Sequence, residues 1–311
     1  MYLFNIIFNE ISLGEYNMFR RIGVFLLVNV LVIATIGIVL NLLGVRGYMT
    51  ANGINYTSLM IICLVWGMVG SFISLFISKF MAKMAYRMQK IEDNDPRLSW
   101  VSVKVGEFAK LEGIKKPEVY IYDSPEVNAF ATGPTRNNSL VAVSSGLVNN
   151  MSQDEVEGVL AHEVGHISNG DMVTMALAQG VLNAFVMFLS RVAAFAISQA
   201  LRSDDDEGPG LGGLAHFALV FVLDILFGIL SMPILMWFSR FREFRADALG
   251  AKLAGRHKMI AALERLQNNT DRIDKSEPNL AAFKISNKSG MMRLFSSHPP
   301  LEERINALKR V

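Results

Sequence analysis

His162, Glu163 and His166, in the order His-Glu-x-x-His within SQDEVEGVLAHEVGHISNGD (residues 152–171), are the side chains here whose types and spacing suit chemistry best. On a helix the two histidines stand one turn and a fraction apart and project from one face. Two neutral imidazoles so placed fill two corners of a zinc tetrahedron, and the glutamate between them reaches the attacking water as general base. The stretch carries its own helix signals. Ser152 with Glu155 makes a capping box, Val156, Val159, Leu160 and Val164 recur at helical spacing, and Gly170 supplies a stop. A His-x-x-x-His pair alone is more often an accident of an ordinary helix. Glutamate in the one position a metallopeptidase needs, on a capped helix, turns the reading toward a metal site.

A catalytic zinc, one per chain, takes three protein ligands and leaves a place for water. The single cysteine, Cys63, lies in an apolar run, so the third ligand must be a histidine or a carboxylate. Of the five histidines, His216 sits in another apolar run and His257 in a basic helix. Glu243-Phe-Arg-Ala-Asp247 is the best source. Glu243 would bind the metal, and Asp247, four residues on and on the same face, would accept a hydrogen bond from the free ring nitrogen of a ligating histidine. The competing account pairs both acids with Arg242 and Arg245 on a solvated helix; beside His162 and His166 it is the weaker one. His298, stiffened by Pro299-Pro300 at the start of a final helix and with Arg304 near it, is the expected donor to the developing oxyanion, with simple capping of that helix as the alternative. A peptide substrate would lie extended on a strand edge, either 127–132, marked by Asn128, or 140–144.

These residues must be positioned by a chain of 311 residues that is 51% hydrophobic and 19% charged. Soluble domains are about 25% charged, so part of this chain belongs in lipid. The net charge of +2, with no basic patch interleaved with aromatics, argues against nucleic acid. Residues 22–45 carry no charge between Arg20-Arg21 and Arg46 and are long enough for an uncleaved membrane span. A second span is expected at about 57–78, ahead of Lys79, Lys83, Arg87 and Lys90. Basic residues at both ends of this hairpin put the N-terminus and the following segment in the cytoplasm, with the loop at Arg46 outside. Residues 172–239 read as a second hairpin broken by Arg191, by an acidic loop at 202–210 and by Asp224; Arg191 and Asp224 lie where they could pair across it.

The domain plan is therefore a membrane hairpin (1–90), a cytoplasmic part with the zinc helix (91–171), a second hairpin (172–239) and a cytoplasmic part with the third ligand (240–311). The fold class expected is α+β, an integral membrane protein with about four transmembrane helices and a mostly helical catalytic domain containing a small β-sheet, which the resemblance described next makes zincin-like. Helices are expected at 96–112, 241–254, 257–268 and 301–308, strands at 118–122, 127–132 and 140–144, and a polar loop at 269–297. A polytopic transporter using Arg191, Asp224 and His216, or a zinc-binding scaffold without activity, is the alternative. The first would need polar groups spread over several spans, and the second is at odds with Glu163.

His162-Glu-Val-Gly-His166 with Glu243-x-x-x-Asp247 resembles the glutamate-zincin metallopeptidases. The long apolar insertion between the motifs, Asn128-Ala-Phe-Ala131 and His298-Pro-Pro-Leu-Glu-Glu-Arg304 narrow the resemblance to the membrane family that contains the bacterial heat-shock proteases and the CAAX-prenyl endopeptidases. The resemblance covers essentially the whole chain. It implies a zinc endopeptidase of the bacterial inner membrane whose substrates are unfolded, misfolded or damaged membrane proteins, working alongside an ATP-dependent membrane protease.

Overall fold

The computed structural model describes residues 33–45, 53–201, 213–276 and 296–310, with isolated positions at 30, 47, 49 and 50. After α1 (Ile33–Leu42) and the two-residue strands β1 (Met49–Thr50) and β2 (Gly53–Ile54) comes α2 (Tyr56–Tyr86), capped by the Asn55 side chain, which accepts from the Ser58 backbone N–H at 3.0 Å. Then follow β3 (Gln89–Lys90), α3 (Ser99–Leu111), β4 (Glu118–Tyr122), β5 (Ala129–Thr135), β6 (Asn138–Ser144) and α4 (Ser145–Asn150). The rest is helical: α5 (Gln153–Asn169), α6 (Asp171–Ala200), α7 (Gly213–Ala254), α8 (Arg256–Ser276) and α9 (Leu301–Arg310).

Three helices, α2, α6 and α7, are long and apolar enough to cross a membrane. The expected first span lies mostly outside the described residues, which show only α1 of it, so four spans remain an expectation. Arg20, Arg21, Arg46 and the acidic loop at 202–210 also lie outside them. Arg191 does not break its helix. Its guanidinium donates to the Met187 carbonyl at 2.9 Å and lies 3.4 Å from an Asp224 carboxylate oxygen, so the charge is matched within the helix layer and α6 runs on to Ala200.

The larger sheet has the order β3-β4-β6-β5, with β4 and β6 parallel and the other pairs antiparallel. Central β6 is buried on both faces, which explains its unbroken Leu-Val-Ala-Val. One face packs Val141 and Val143 against Val101, Val105 and Phe108 of α3 and Val156, Leu160 and Val164 of α5. The other holds Tyr122, whose ring stacks with Phe130 and with Tyr86 at the end of α2. The structure thus lays α5, which carries His162, Glu163 and His166, on one side of the sheet and the apolar helix α2 on the other.

Salt bridges fasten that second contact. Lys79 and Lys83 of α2 reach Glu118 of β4 at 2.7 and 2.6 Å. Partial burial works to raise the Glu118 pKa, but hydrogen bonds from Lys79, Lys83 and Tyr120 outweigh it and bring it down to about 2. A depressed carboxyl pKa contributes stability above its unfolded value, here about 4.5, that is lost as the pH falls toward 2. Glu118→Gln should therefore lower the melting temperature of the detergent-solubilised protein at pH 6, with the gap to wild type closing between pH 4.5 and 2. A gap that stays constant with pH would assign the loss to packing.

Several expected boundaries move. The strand expected at 127–132 is β5, shifted to Ala129–Thr135, and β6 begins two residues early because the pair closes a tight turn at Arg136-Asn137. The helix expected at 257–268 is α8, which continues to Ser276, into residues read from sequence as loop. The helix expected to start at 241 has no start there, because the membrane arm and the ligand helix are one element, α7. β3 and α4 were not expected.

Candidate metal centre

α5 is built as its sequence dictates. Ser152 accepts from the Glu155 backbone N–H at 3.4 Å while Glu155 accepts from the Ser152 backbone N–H at 2.7 Å. At the other end Gly170 turns the chain with φ of 71°, a left-handed conformation that a glycine adopts without strain, and α6 begins at the next residue. Close helix packing brings the other components in. A Cβ on Gly165 would stand 3.1 Å from the Ala246 carbonyl oxygen, so α5 and α7 approach with no side chain between them. That approach sets Glu243, only 2% exposed, against the two histidines.

The ligand atoms face each other. His162 Nε2 lies 3.1 Å from His166 Nε2 and 3.6 Å from Glu243 Oε2, and His166 Nε2 lies 3.3 Å from Glu243 Oε1. Metal–nitrogen bonds of about 2.0–2.1 Å arranged tetrahedrally put donors about 3.3 Å apart, so the separations suit zinc. Glu243 Oε2 is also buried without a properly directed hydrogen bond, although His298 Nδ1 and Arg304 Nη1 stand 2.8 and 3.2 Å away. An acceptor left in that state among imidazole nitrogens fits a metal cation. Among the described residues, His162, His166 and Glu243 form the one such group of potential ligands.

Around this group each histidine turns its second nitrogen to a carboxylate. His162 Nδ1 lies 2.9 Å from Asp247 Oδ1, and His166 Nδ1 lies 2.6 Å from Asp171 Oδ2. The pairing selects the tautomer that leaves both Nε2 atoms to the centre. The electrostatics follow the same plan. Burial works to lower the histidine pKa values, but Asp247 and Glu243 at His162, and Asp171 and Glu243 at His166, push both up, His166 to about 9. Burial would raise Glu243, but the surrounding imidazoles hold it far below the usual carboxylate range. Three carboxylates gathered around two imidazoles make a trap for a cation.

Asp247 stands where its spacing from Glu243 predicted. Arg304 lines one lobe of the cleft together with Glu163 and His298. It is 5% exposed, gives Asp247 a two-pronged contact at 2.7 and 2.6 Å, and lies 3.2 Å from Glu243. His298 is different, largely exposed on the rim. Asn128 lines the cleft, and its backbone N–H donates to the Ser144 hydroxyl at 3.1 Å. Of the two candidate strands only β5 is an edge, since β6 is paired on both sides. Sequence reasoning missed Asp171. An acidic residue just after a glycine cap reads as a helix-start signal, which concealed its contact with His166. Arg242 was read only as a possible partner for Glu243 and Asp247 on a solvated helix; it donates to the Asp171 carbonyl at 3.1 Å and lines the cleft. Asp171→Asn should weaken zinc affinity about 10–100-fold in chelator competition. Unchanged affinity would make the aspartate a capping group only.

The cleft in front of Glu163 has two lobes, of about 290 and 350 Å³. Both contain Asn128, Ala129, His162, Glu163, Glu243 and His298. The larger one follows Ala129, Phe130 and Ala131 of β5; the other is walled by Val159, Met259 and Leu263. A nucleophilic water, a base, a metal and a strand edge can meet here, which is the equipment of a peptidase.

Comparison with known proteins agrees. Residues 96–311 match the model of peptidase family M48. The chain belongs to peptidase family M48, and its apolar helices make it a membrane-anchored metallopeptidase. Among relatives, a Protease HtpX of Chromohalobacter salexigens is 51% identical over 293 residues, covering 93% of this chain and 97% of its own. Another, of Aeromonas hydrophila subsp. hydrophila, is 52% identical over 295 residues, covering 93% and 99%. The crystal structure of S. mikatae Ste24p matches with a TM-score of 0.57 at 22% identity, over 81% of this chain and 58% of its own, a likeness of fold. The transporter and scaffold readings gain no support from these matches.

Proposed function

We propose that this chain is a zinc endopeptidase that cleaves misfolded or damaged membrane proteins at the cytoplasmic face of a bacterial inner membrane. The observation that carries the reading is the position of Glu163, in the cleft between the His162–His166–Glu243 group and the edge strand β5. The orientation rests on charge: Lys79 and Lys83 at the site-side end of α2, and Arg240, Arg242 and Arg245 of α7, support a cytoplasmic setting for that side. With the span expected at 22–45 the chain would cross four times, following the four-part division 1–90, 91–171, 172–239 and 240–311. The link to an ATP-dependent membrane protease rests on the family resemblance.

His162, His166 and Glu243 would hold the zinc, with Asp247 and Asp171 orienting the histidines. When bound, the metal supplies Lewis acidity that polarises the scissile carbonyl and acidifies water. Glu163 accepts a proton from the attacking water and passes it to the departing amine nitrogen as the C–N bond breaks. The open edge of β5 pairs with the substrate backbone, and Asn128 sits at its start. Because such pairing reads backbone rather than sequence, selectivity falls to the lobe lined by Val159, Met259 and Leu263, which favours an apolar side chain beside the cleaved bond.

His298 on the rim is the donor for the developing oxyanion, while Arg304 positions Asp247 and Glu243. His298→Ala should lower kcat about 10²–10³-fold with zinc retained. Loss of zinc instead would make His298 a support of Glu243. The reading as a whole is tested by zinc content and casein cleavage of the detergent-purified protein with and without chelator. Stoichiometric zinc and chelator-sensitive cleavage are expected; cleavage that survives removal of all zinc would overturn it.

A further inference from the structure

The membrane helices contain a second cleft, apart from the catalytic one. α2 and α6 are pressed together where a Cβ on Gly67 would lie 2.3 Å from the Gly180 carbonyl oxygen, and they part toward the catalytic side, where a Cβ on Gly70 would meet nothing within 4 Å. The opening is a cavity of about 470 Å³ whose lining includes Ser71, Ser74, Ser78, Gln179 and Asn183. Those side chains are out of keeping with the apolar positions around them, such as Phe76 and Phe80, which face outward.

Ser71 is only 8% exposed, and its hydroxyl has no hydrogen-bond partner; nor has that of Ser78. Serine in a membrane helix ordinarily returns its proton to the carbonyl one turn earlier, as Ser190 does to Val186 at 2.9 Å. Ser71 and Ser78 make no such bond, and Ser74, between them on the same lining, stands exposed. The cleft also leads somewhere. Met172 lines both it and the lobe before His166, and Thr132 at its end follows Ala131, which lines that lobe on β5.

We propose that this cleft takes an extended stretch of a membrane-protein substrate as it leaves the bilayer and delivers it to the free edge of β5. The proposal rests on the peptidase reading above and names the form in which its substrate arrives. A peptide bond in a transmembrane helix is shielded by its own helical hydrogen bonds, so the segment must unwind before it can be cut. Unwound backbone in hydrocarbon has no partners, and irregular chain is tolerated at that depth only against protein polar groups or in a watery cavity. Ser71 to Ser78 spans about 10 Å of helix rise, so the cleft supplies such groups through the last part of the hydrocarbon before the interface.

The test uses proteoliposomes. Gly70→Leu and Ser74→Leu fill the cleft with apolar side chains at positions that have room. Their cleavage of a co-reconstituted single-pass protein with its cut site next to the membrane should fall at least tenfold, while cleavage of added casein stays within twofold of wild type and zinc content is unchanged. Equal losses on both substrates, or none on either, would overturn the proposal. A photo-cross-linker at Ser74 in a Glu163→Gln background gives a second, independent measurement. An adduct with the single-pass protein is expected, and adducts only with lipid or with residues of this chain itself would overturn the proposal even if the first test succeeded. If the wild-type protein cuts neither substrate, the peptidase reading fails, and the cross-link still decides the cleft.

Discussion

Glu163→Gln is expected to cut casein cleavage by roughly 10²–10⁴-fold while leaving the zinc content at one per chain. The substitution keeps the shape of the side chain and its place on α5, where neighbouring Val164 is fully buried and fixes the helix against the sheet. It removes only the ability to take a proton. His162, His166 and Glu243 are untouched, and so are the carboxylates behind the histidines, so metal affinity has no reason to change. A kcat that falls with zinc retained would separate proton transfer from metal binding. Full activity in the variant would place the base elsewhere in the cleft.

Glu243→Ala should have the larger structural effect. It removes the third potential ligand and with it the negative charge that His162, His166, His298 and Arg304 all approach. Breaking a buried charge cluster by removing one partner costs about 3–5 kcal/mol, and here Asp247 remains on Arg304 to soften the loss. Purified Glu243→Ala should therefore lack stoichiometric zinc and melt earlier than wild type even in the presence of chelator. Glu243→Gln, which keeps the volume and one acceptor, should lose zinc but recover part of the melting temperature. Unaltered zinc content in the alanine variant would show that the ligand lies elsewhere.

α5 was legible in full because every signal for it is local: the capping pair, the spaced valines and the stop at Gly170 lie within one stretch. Glu243 and Asp247 were legible through spacing and the expectation that a hairpin would return them. Asp171 was not, and neither was the burial of Arg304 against Asp247, for physical reasons. Each is a charged residue in the first turns of a helix, where charge is normally solvated, and its burial is decided by a residue of another helix, His166 across the glycine turn for Asp171 and the remote Asp247 for Arg304. The continuity of α6 was obscured because Arg191 looks like an interruption until Asp224 and the Met187 carbonyl are beside it. β5 and β6 could not be ranked as edge and centre from their own residues, since strand order is a property of the whole sheet.

The three residues of the central group are divided by the second hairpin, His162 and His166 before it and Glu243 after it, on the helix that forms its returning arm. A chain made from its N-terminus presents the histidines long before the glutamate. α7 must lie beside α5 before Glu243 can join the histidines, and Arg304, which fastens Asp247, comes later still in the chain. The group of His162, His166 and Glu243 is therefore complete only once α7 lies against α5.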